Sequence, residues 1–334
     1  MANEIHNITV LGAGAWGTAL ARVASVRTHN VTLWGHDRVH LETMRQTREN
    51  QKYLPGVSLP PLMNYEPDFA RAVEKAELLI CAIPTIYLRA VLAEQRGAVG
   101  ADVGVISVTK GIEQETLKRP TEIIAECLGS KRIGVLSGPC HAEEVGRDCP
   151  TTAVVAANDE RLAQTTLAAL ILPMFRLYLG NDMLGMEIAG ALKNVVALTA
   201  GACLALDLGD NAIAAMLTRG LAEMTRLGVA LGADPKTFAG LAGLGDLVAT
   251  CFSKHSRNRQ FGYDAVKNNS KNFALTSRHS VAEGYFSAKS AYDLAQRLGV
   301  EMPIVQQINR VLFADYDPRR AVLELMTRET KKEN

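Results

Sequence analysis

Residues 183 to 205, MLGMEIAGALKNVVALTAGACLA, constrain the fold of this chain more than any other stretch. The run has no proline, and its only charges are Glu187 and Lys193. A helix apolar on every side is normally a buried one, so other elements must enclose it. Wound at the helical period, it carries Lys193 on the face of Met186, Ala189, Gly190, Ala197 and Ala200. Those neighbours are nearly all small. Something can approach the helix closely there, and the lone ammonium sits at that place. Two readings are open: a lysine that snorkels or pairs with a carboxylate, or a catalytic ammonium whose pKa burial lowers toward neutrality. The length would also allow a membrane span, but two charges, many glycines and no basic flank argue against one.

The N-terminal end supplies the second constraint. HNITVLGAGAWG (6–17) is a short β-branched run entering a glycine turn, with Gly12, Gly14 and Gly17 in G-x-G-x-x-G spacing before an Ala-rich helix. That setting is what gives the pattern weight. The first glycine makes the tight turn, the second lets the backbone reach a pyrophosphate, and the third lets helix and strand pack closely. A dinucleotide phosphate would then rest on free N–H groups at the positive end of the helix. After a second strand, Val31 to Trp34, the chain reads Gly35-His36-Asp37-Arg38. Asp37 stands late for the acid that holds a ribose 2′-hydroxyl in NAD enzymes, whereas His36 and Arg38 suit a 2′-phosphate. The expected cofactor is NADPH, with NADH tolerated.

Strand and helix patterns keep alternating. Strands are expected at 77–83, 103–108, 132–136, 152–157 and 175–179, with helices from about Tyr87 and over 120–128. Such alternation predicts an α/β fold with a doubly wound, mostly parallel sheet of Rossmann type, whose ligands gather at the carboxyl ends of strands. Lys110 and Gly138 follow two of those ends. Beyond Gly180 the texture becomes helical, over 183–206, 211–231, 281–298 and 303–314. The expected division is a nucleotide-binding domain at 1–182 and an all-helical substrate domain at 183–330, sharing one long interface along the Lys193 helix.

Composition removes other classes. A net charge of +1 over 334 residues gives no electrostatic case for nucleic acid or membrane binding. Met1 to Asn7 is polar and the apolar run after it is broken by glycines, so no signal peptide is read and a cytoplasmic protein is expected. Six cysteines (Cys81, Cys127, Cys140, Cys149, Cys203 and Cys251) form no C-x-x-C pair and read as reduced thiols. His36 and His40 share i, i+4 spacing without an accompanying acid cluster, so no metal is expected.

A second constellation lies in LAGLGDLVATCFSKHSRNR (241–259). Asp246 is the lone acid of its apolar segment, either in a short capped turn or aimed at an internal lysine. Ser256-Arg257-Asn258 offers a hydroxyl, a guanidinium and an amide at the start of a helix, which is good phosphate chemistry; a solvated N-cap is the plainer alternative. Taken jointly, these features fit reduction of a small phosphorylated carbonyl compound.

GAGAWG, VTKG (108–111), LSGP (136–139), EIAGALKNVVA (187–197), GLGDL (243–247) and SRN (256–258) together resemble the bacterial-type NAD(P)-dependent glycerol-3-phosphate dehydrogenases. The resemblance covers essentially the whole chain. It implies reversible reduction of dihydroxyacetone phosphate to sn-glycerol 3-phosphate for phospholipid synthesis, a Rossmann-like domain before a helical one, and a homodimer. It implies Lys193 as catalytic acid/base, and substrate contacts from Lys110, Gly138, Cys140, Asp246, Ser256, Arg257 and Asn258. Cofactor contacts would come from Ala15, Trp16, His36, Lys110, Ala142, Arg257, Val281 and Glu283, besides the three glycines. Relatives usually carry Ser or Thr where Cys140 stands, and often Arg where His36 stands. Asp246 and Asn194 are expected to orient the Lys193 ammonium. A β-hydroxyacid dehydrogenase of the same two-domain plan and a non-catalytic NAD(P)H-sensing regulator remain alternatives.

Overall fold

A computed structural model describes residues 5–27, 30–268, 282–330 and 332–333. The first half is an eight-stranded sheet in the order β10-β9-β8-β7-β6-β1-β2-β5. Its strands are β1 (Asn7–Leu11), β2 (Asn30–Trp34), β5 (Asn64–Glu66), β6 (Leu78–Cys81), β7 (Gly104–Ser107), β8 (Ile133–Ser137), β9 (Thr151–Ala157) and β10 (Phe175–Leu179). Helices α1 (Ala15–Val26), α2 (Arg38–Thr47), α3 (Phe69–Val73), α4 (Thr85–Ala93), α5 (Pro120–Leu128), α6 (Ala142–Gly146) and α7 (Glu160–Leu170) connect them. Both faces are covered. Leu78 and Ile80 of β6 join one apolar cluster with Leu20 and Leu33, while Leu79 and Cys81 join another with Leu88 and Ile123. A strand buried on both faces reads as an unbroken apolar run, which is why LLIC shows no alternation.

The pairing departs from the sequence reading in two places. β8 and β9 run antiparallel, and β10 follows β9 in parallel, so the last two strands are reversed against the rest. The 138–150 connection carries only the short α6, and no crossover returns the chain to the starting end of the sheet. The sequence reading also passed over β5 and a small hairpin of β3 (Glu49–Asn50) and β4 (Leu54–Ser58). Pro55, Gly56, Pro60 and Pro61 break up the β pattern there.

After β10 the described residues form helices. These are α8 (Met183–Ala205), α9 (Gly209–Ala230), α10 (Pro235–Ala239), α11 (Asp246–Phe252), α12 (Arg257–Lys267), α13 (Glu283–Leu298), α14 (Pro303–Phe313) and α15 (Pro318–Met326). A π-turn at Leu241–Gly245 leads into α11. By length and apolarity α8 could cross a membrane, but it is largely buried within the protein. It lies against α9, α11, α12, α13 and β8, at the seam between sheet and bundle. Its crossing with α12 is tight: a Cβ at Gly262 would fall 2.0 Å from Leu198 O.

The other charge of α8 is also accounted for. Glu187 is buried and accepts bonds from Arg119 Nη1 (2.8 Å), Thr121 N (2.9 Å) and Thr121 Oγ1 (2.7 Å) at the start of α5. Burial drives its pKa up, against the pull of Arg119 and Thr121. A strap from the sheet enters the bundle as well. Ile112 lies in the helical core, and its carbonyl accepts from Ser290 Oγ of α13 at 2.9 Å.

Candidate active site

The glycine turn has the geometry its spacing predicts. Gly12 has φ +119°, and a Cβ there would meet Ala82 O at 2.9 Å. A Cβ at Gly17 would fall 1.9 Å from Gly12 O, so helix and strand can touch only without side chains. At Gly14 an added Cβ meets nothing within 4 Å, so this turn borders open space at the N-terminus of α1. Gly14 brings no side-chain cap, leaving the first-turn N–H groups of α1 to a ligand. These residues fit a dinucleotide pyrophosphate. Ala15 lies in that first turn, but the Trp16 ring turns inward and packs edge-on against Phe175 (6.5 Å, 70°). Its backbone, rather than its indole, faces the turn.

At the end of β2, His36, Asp37 and Arg38 are exposed. Asp37 is the N-cap of α2 and accepts from His40 N at 3.0 Å; that bond lowers its pKa. Asp37 is therefore engaged with its own helix. Arg38 lines a cavity of about 350 Å³ together with Arg45, Arg71 and the acids Glu42, Glu66 and Asp68.

Lys193 lies within the interface. It is 5 % exposed, and its ammonium donates to Asp246 Oδ1 and to Thr250 Oγ1 (2.7 Å). Asp246, 2 % exposed at the first turn of α11, also accepts from Lys110 Nζ at 2.6 Å and from Thr250 Oγ1 at 3.2 Å. The lone acid is thus a carboxylate shared by two lysines, one from each half of the molecule. Burial pushes the Lys193 pKa below the ordinary lysine range; Asp246 pulls it upward and the second ammonium repels it downward. Lys110 also feels burial, but Asp246 outweighs it and the net shift is upward. Burial alone would raise Asp246, and the two cations more than reverse that. Two cations around one anion titrate as a unit, and Lys193 is the member made readiest to give up a proton.

Thr250 is the partner that sequence reasoning missed. It stands four residues after Asp246, on the same face of α11, and i, i+4 spacing was the available signal. The orienting pair is Asp246 with Thr250, and the hydrogen bonds of Lys193 do not include Asn194.

The loop after β8 closes one side of this cluster. Gly138, at φ +146°, turns its carbonyl toward Lys110 Nζ (3.4 Å). Cys140 donates its thiol to the same carbonyl at 3.0 Å. The thiol is therefore turned onto its own loop, and burial raises its pKa. Ala142, buried, opens α6.

The remaining expected substrate contacts lie at the start of α12. Ser256 is its N-cap, accepting from Arg259 N at 3.2 Å, which leaves the hydroxyl hydrogen to donate. Arg257 is exposed, and Asn258 accepts from Gly284 N at 2.9 Å, leaving its amide nitrogen to donate. Glu283 opens α13 beside Arg257, Lys110, Lys193 and the Thr85 backbone. Desolvation pushes its pKa up to about 7 against those groups. Val281 lies outside the described residues. Among the described residues no group of three or more His, Cys, Asp or Glu could hold a metal ion.

Comparison with known proteins identifies the family. Residues 7–163 match the model of the NAD-dependent glycerol-3-phosphate dehydrogenase N-terminus, and 182–323 match that of its C-terminus. An NAD(P)+ glycerol-3-phosphate dehydrogenase of Geobacillus kaustophilus is 46% identical over 98% of this chain and 96% of its own length. The Chlorobium phaeobacteroides enzyme of that description is 44% identical over 98% of both. The crystal structure of glycerol-3-phosphate dehydrogenase from Coxiella burnetii superposes with a TM-score of 0.93 at 35% identity, covering 97% of this chain and 99% of that one. A glycine turn and a buried two-lysine cluster on this two-part frame, with both family models matched in order, place the chain in the NAD-dependent glycerol-3-phosphate dehydrogenase family.

Proposed function

We propose that this enzyme reversibly reduces dihydroxyacetone phosphate to sn-glycerol 3-phosphate with NAD(P)H, supplying glycerophospholipid synthesis. The observation that carries the reading is the Lys193–Asp246–Lys110 cluster at the seam of the two halves, with Lys193 lowered in pKa. Residues 1–182 act as the nucleotide half and 183–330 as the substrate half.

The bound nicotinamide supplies hydride to the C2 carbonyl carbon. As charge develops on the carbonyl oxygen, Lys193 donates one proton to it and becomes the neutral amine; in reverse the amine takes that proton back. Asp246 and Thr250 aim the ammonium, so no reorientation is needed in the transition state. Lys110 steadies the substrate from the sheet side, beside Gly138 and the Cys140 loop. The phosphate is held at the N-terminus of α12 by Ser256, Arg257 and Asn258, where N–H dipole and guanidinium act together. Gly12, Gly14, Ala15, Trp16 and Gly17 would take the pyrophosphate, and the further cofactor contacts would come from Ala142, Arg257, Val281 and Glu283.

NADPH is preferred over NADH in this reading. Asp37 is spent on capping α2, while His36 and Arg38 stand at the strand end where a 2′-phosphate would lie. The enzyme works in the cytoplasm as a homodimer. Light scattering of the purified protein tests the dimer.

Initial rates of dihydroxyacetone phosphate reduction with NADPH and NADH, set against oxidation of a panel of 3-hydroxy acids with NADP+ and NAD+, test the activity. Turnover confined to the phosphorylated ketone is expected. Turnover only of hydroxy acids, or tight NADPH binding with no turnover, would sink the proposal. Lys193→Ala should lose roughly 10² to 10⁴ in kcat while still binding cofactor.

A further inference from the structure

One titratable side chain beside the cluster has no part in the mechanism above. His141 follows Cys140 in the loop between β8 and α6, and its Nε2 lies 3.3 Å from the carbonyl oxygen of Ala249 in α11. A carbonyl can only accept, so Nε2 carries the proton. The acceptor sits in the last turn of α11, where it also receives Ser253 N at 3.0 Å. Its carbonyl belongs to the negative end of that helix, which favours a donor there. Ala249 directly precedes Thr250, and Asp246 begins the same helix, so the imidazole grips the element that aims Lys193. The other end of the grip is the loop whose Gly138 carbonyl meets Lys110.

We propose that His141 is a positioning residue for the reduction: its bond to Ala249 fixes α11, and with it Asp246 and Thr250, against the nucleotide half across the crevice. The inference rests on the activity proposed above. The hydrogen bond of the His141 ring goes to α11. Its loss therefore displaces the ammonium relative to the carbonyl without altering cofactor binding, and misplacement of about 1 Å can cost on the order of 10² in rate. A second contact, the Lys110–Asp246 pair, also ties α11 to the nucleotide half, so the expected loss is smaller, roughly tenfold. Burial holds the His141 pKa down, with Lys193 acting in the same direction. The neutral ring then adds no third cation beside the two lysines. His255, its ring centroid 6.4 Å away, is the other imidazole at this edge.

The test compares His141→Leu, which removes the donor, with His141→Gln, whose amide nitrogen reaches about as far as Nε2. Each full-length variant is assayed with dihydroxyacetone phosphate and NADPH beside the unsubstituted enzyme. The cofactor dissociation constant and Tm are measured on the same preparations. The expected result is about a tenfold fall in kcat for H141L, an NADPH dissociation constant within about twofold of the parent, and recovery to within about threefold in H141Q. Equal damage in both variants, no loss in H141L, or a loss shared with cofactor affinity or Tm assigns His141 to packing alone and overturns the inference. An unsubstituted enzyme that fails to turn over the ketone refutes the proposed activity instead.

Discussion

Asp246→Asn is the most informative single change, because one carboxylate serves two buried ammonium groups. In the native site Asp246 accepts from Lys110, Lys193 and Thr250. The amide keeps the size and removes the charge, leaving two cations close together with no anion between them. Breaking a buried ion pair from one side costs about 3 to 5 kcal/mol, unless one lysine releases its proton. Lys193 is the one to do so. Burial and Lys110 already push its pKa down, and Asp246 is what opposes them. Without the carboxylate Lys193 becomes a neutral amine near neutrality and has no proton to give the developing alkoxide. The reduction should lose about 10² to 10⁴ in kcat at neutral pH. The sign of the pH effect follows. Since the Lys193 pKa falls further, activity should return as pH is lowered, by up to roughly tenfold per unit, where the parent enzyme is flat. Nicotinamide absorbance in a pH series measures this directly. A D246N enzyme within tenfold of the parent, or one whose pH profile is unshifted, would refute the charge-sharing argument.

Other changes separate the remaining parts. Thr250→Val keeps shape but leaves one Lys193 hydrogen uncompensated, which costs about 1 to 3 kcal/mol; kcat should fall at least about fivefold with an unchanged NADPH dissociation constant. Arg257→Ala should raise KM for the phosphorylated substrate by about 1.5 to 3 kcal/mol for the lost charge-assisted bonds, and an unchanged KM means the phosphate sits elsewhere. Gly14→Ala meets only open space, so Tm should hold while NADPH binding weakens; Gly17→Ala collides with Gly12 O and should lower Tm, as thermal melts with and without NADPH will register. Glu223, buried in α9, accepts from Ile304 N (2.7 Å) and Val305 N (3.1 Å), and burial still pushes its pKa up to about 7. Its folded pKa lies above the unfolded value of about 4.3, so its contribution is full below that value and lost as pH rises through 7. Glu223→Gln should flatten that part of a Tm-against-pH curve.

Much of this was legible because charge in an apolar run demands an explanation. Lys193 and Asp246 stood out for that reason, and each is the other's explanation. The glycine turn was legible because its spacing came with a strand before it and a helix after it. Thr250 was not, since a threonine in an apolar helix satisfies its hydroxyl on its own backbone in most settings. The reversal of β9 was equally hidden: an apolar strand looks the same in either direction, and direction is set by how the 138–150 connection packs. Side-chain aim was beyond reach too. Nothing in GAGAWG says that the Trp16 ring goes to Phe175, nor that the Cys140 thiol would bend back to Gly138.

Ile112 gives the strap after β7 a mechanical meaning. One residue separates it from Lys110, and its side chain is anchored among the helices, with Ser290 holding its carbonyl. Lys110 is therefore tied on both sides: its own carbonyl accepts from Thr85 Oγ1 of the sheet half, while the chain two residues on is set in the bundle. The strap thereby stitches sheet to bundle within three residues, at the point where the two lysines share their carboxylate.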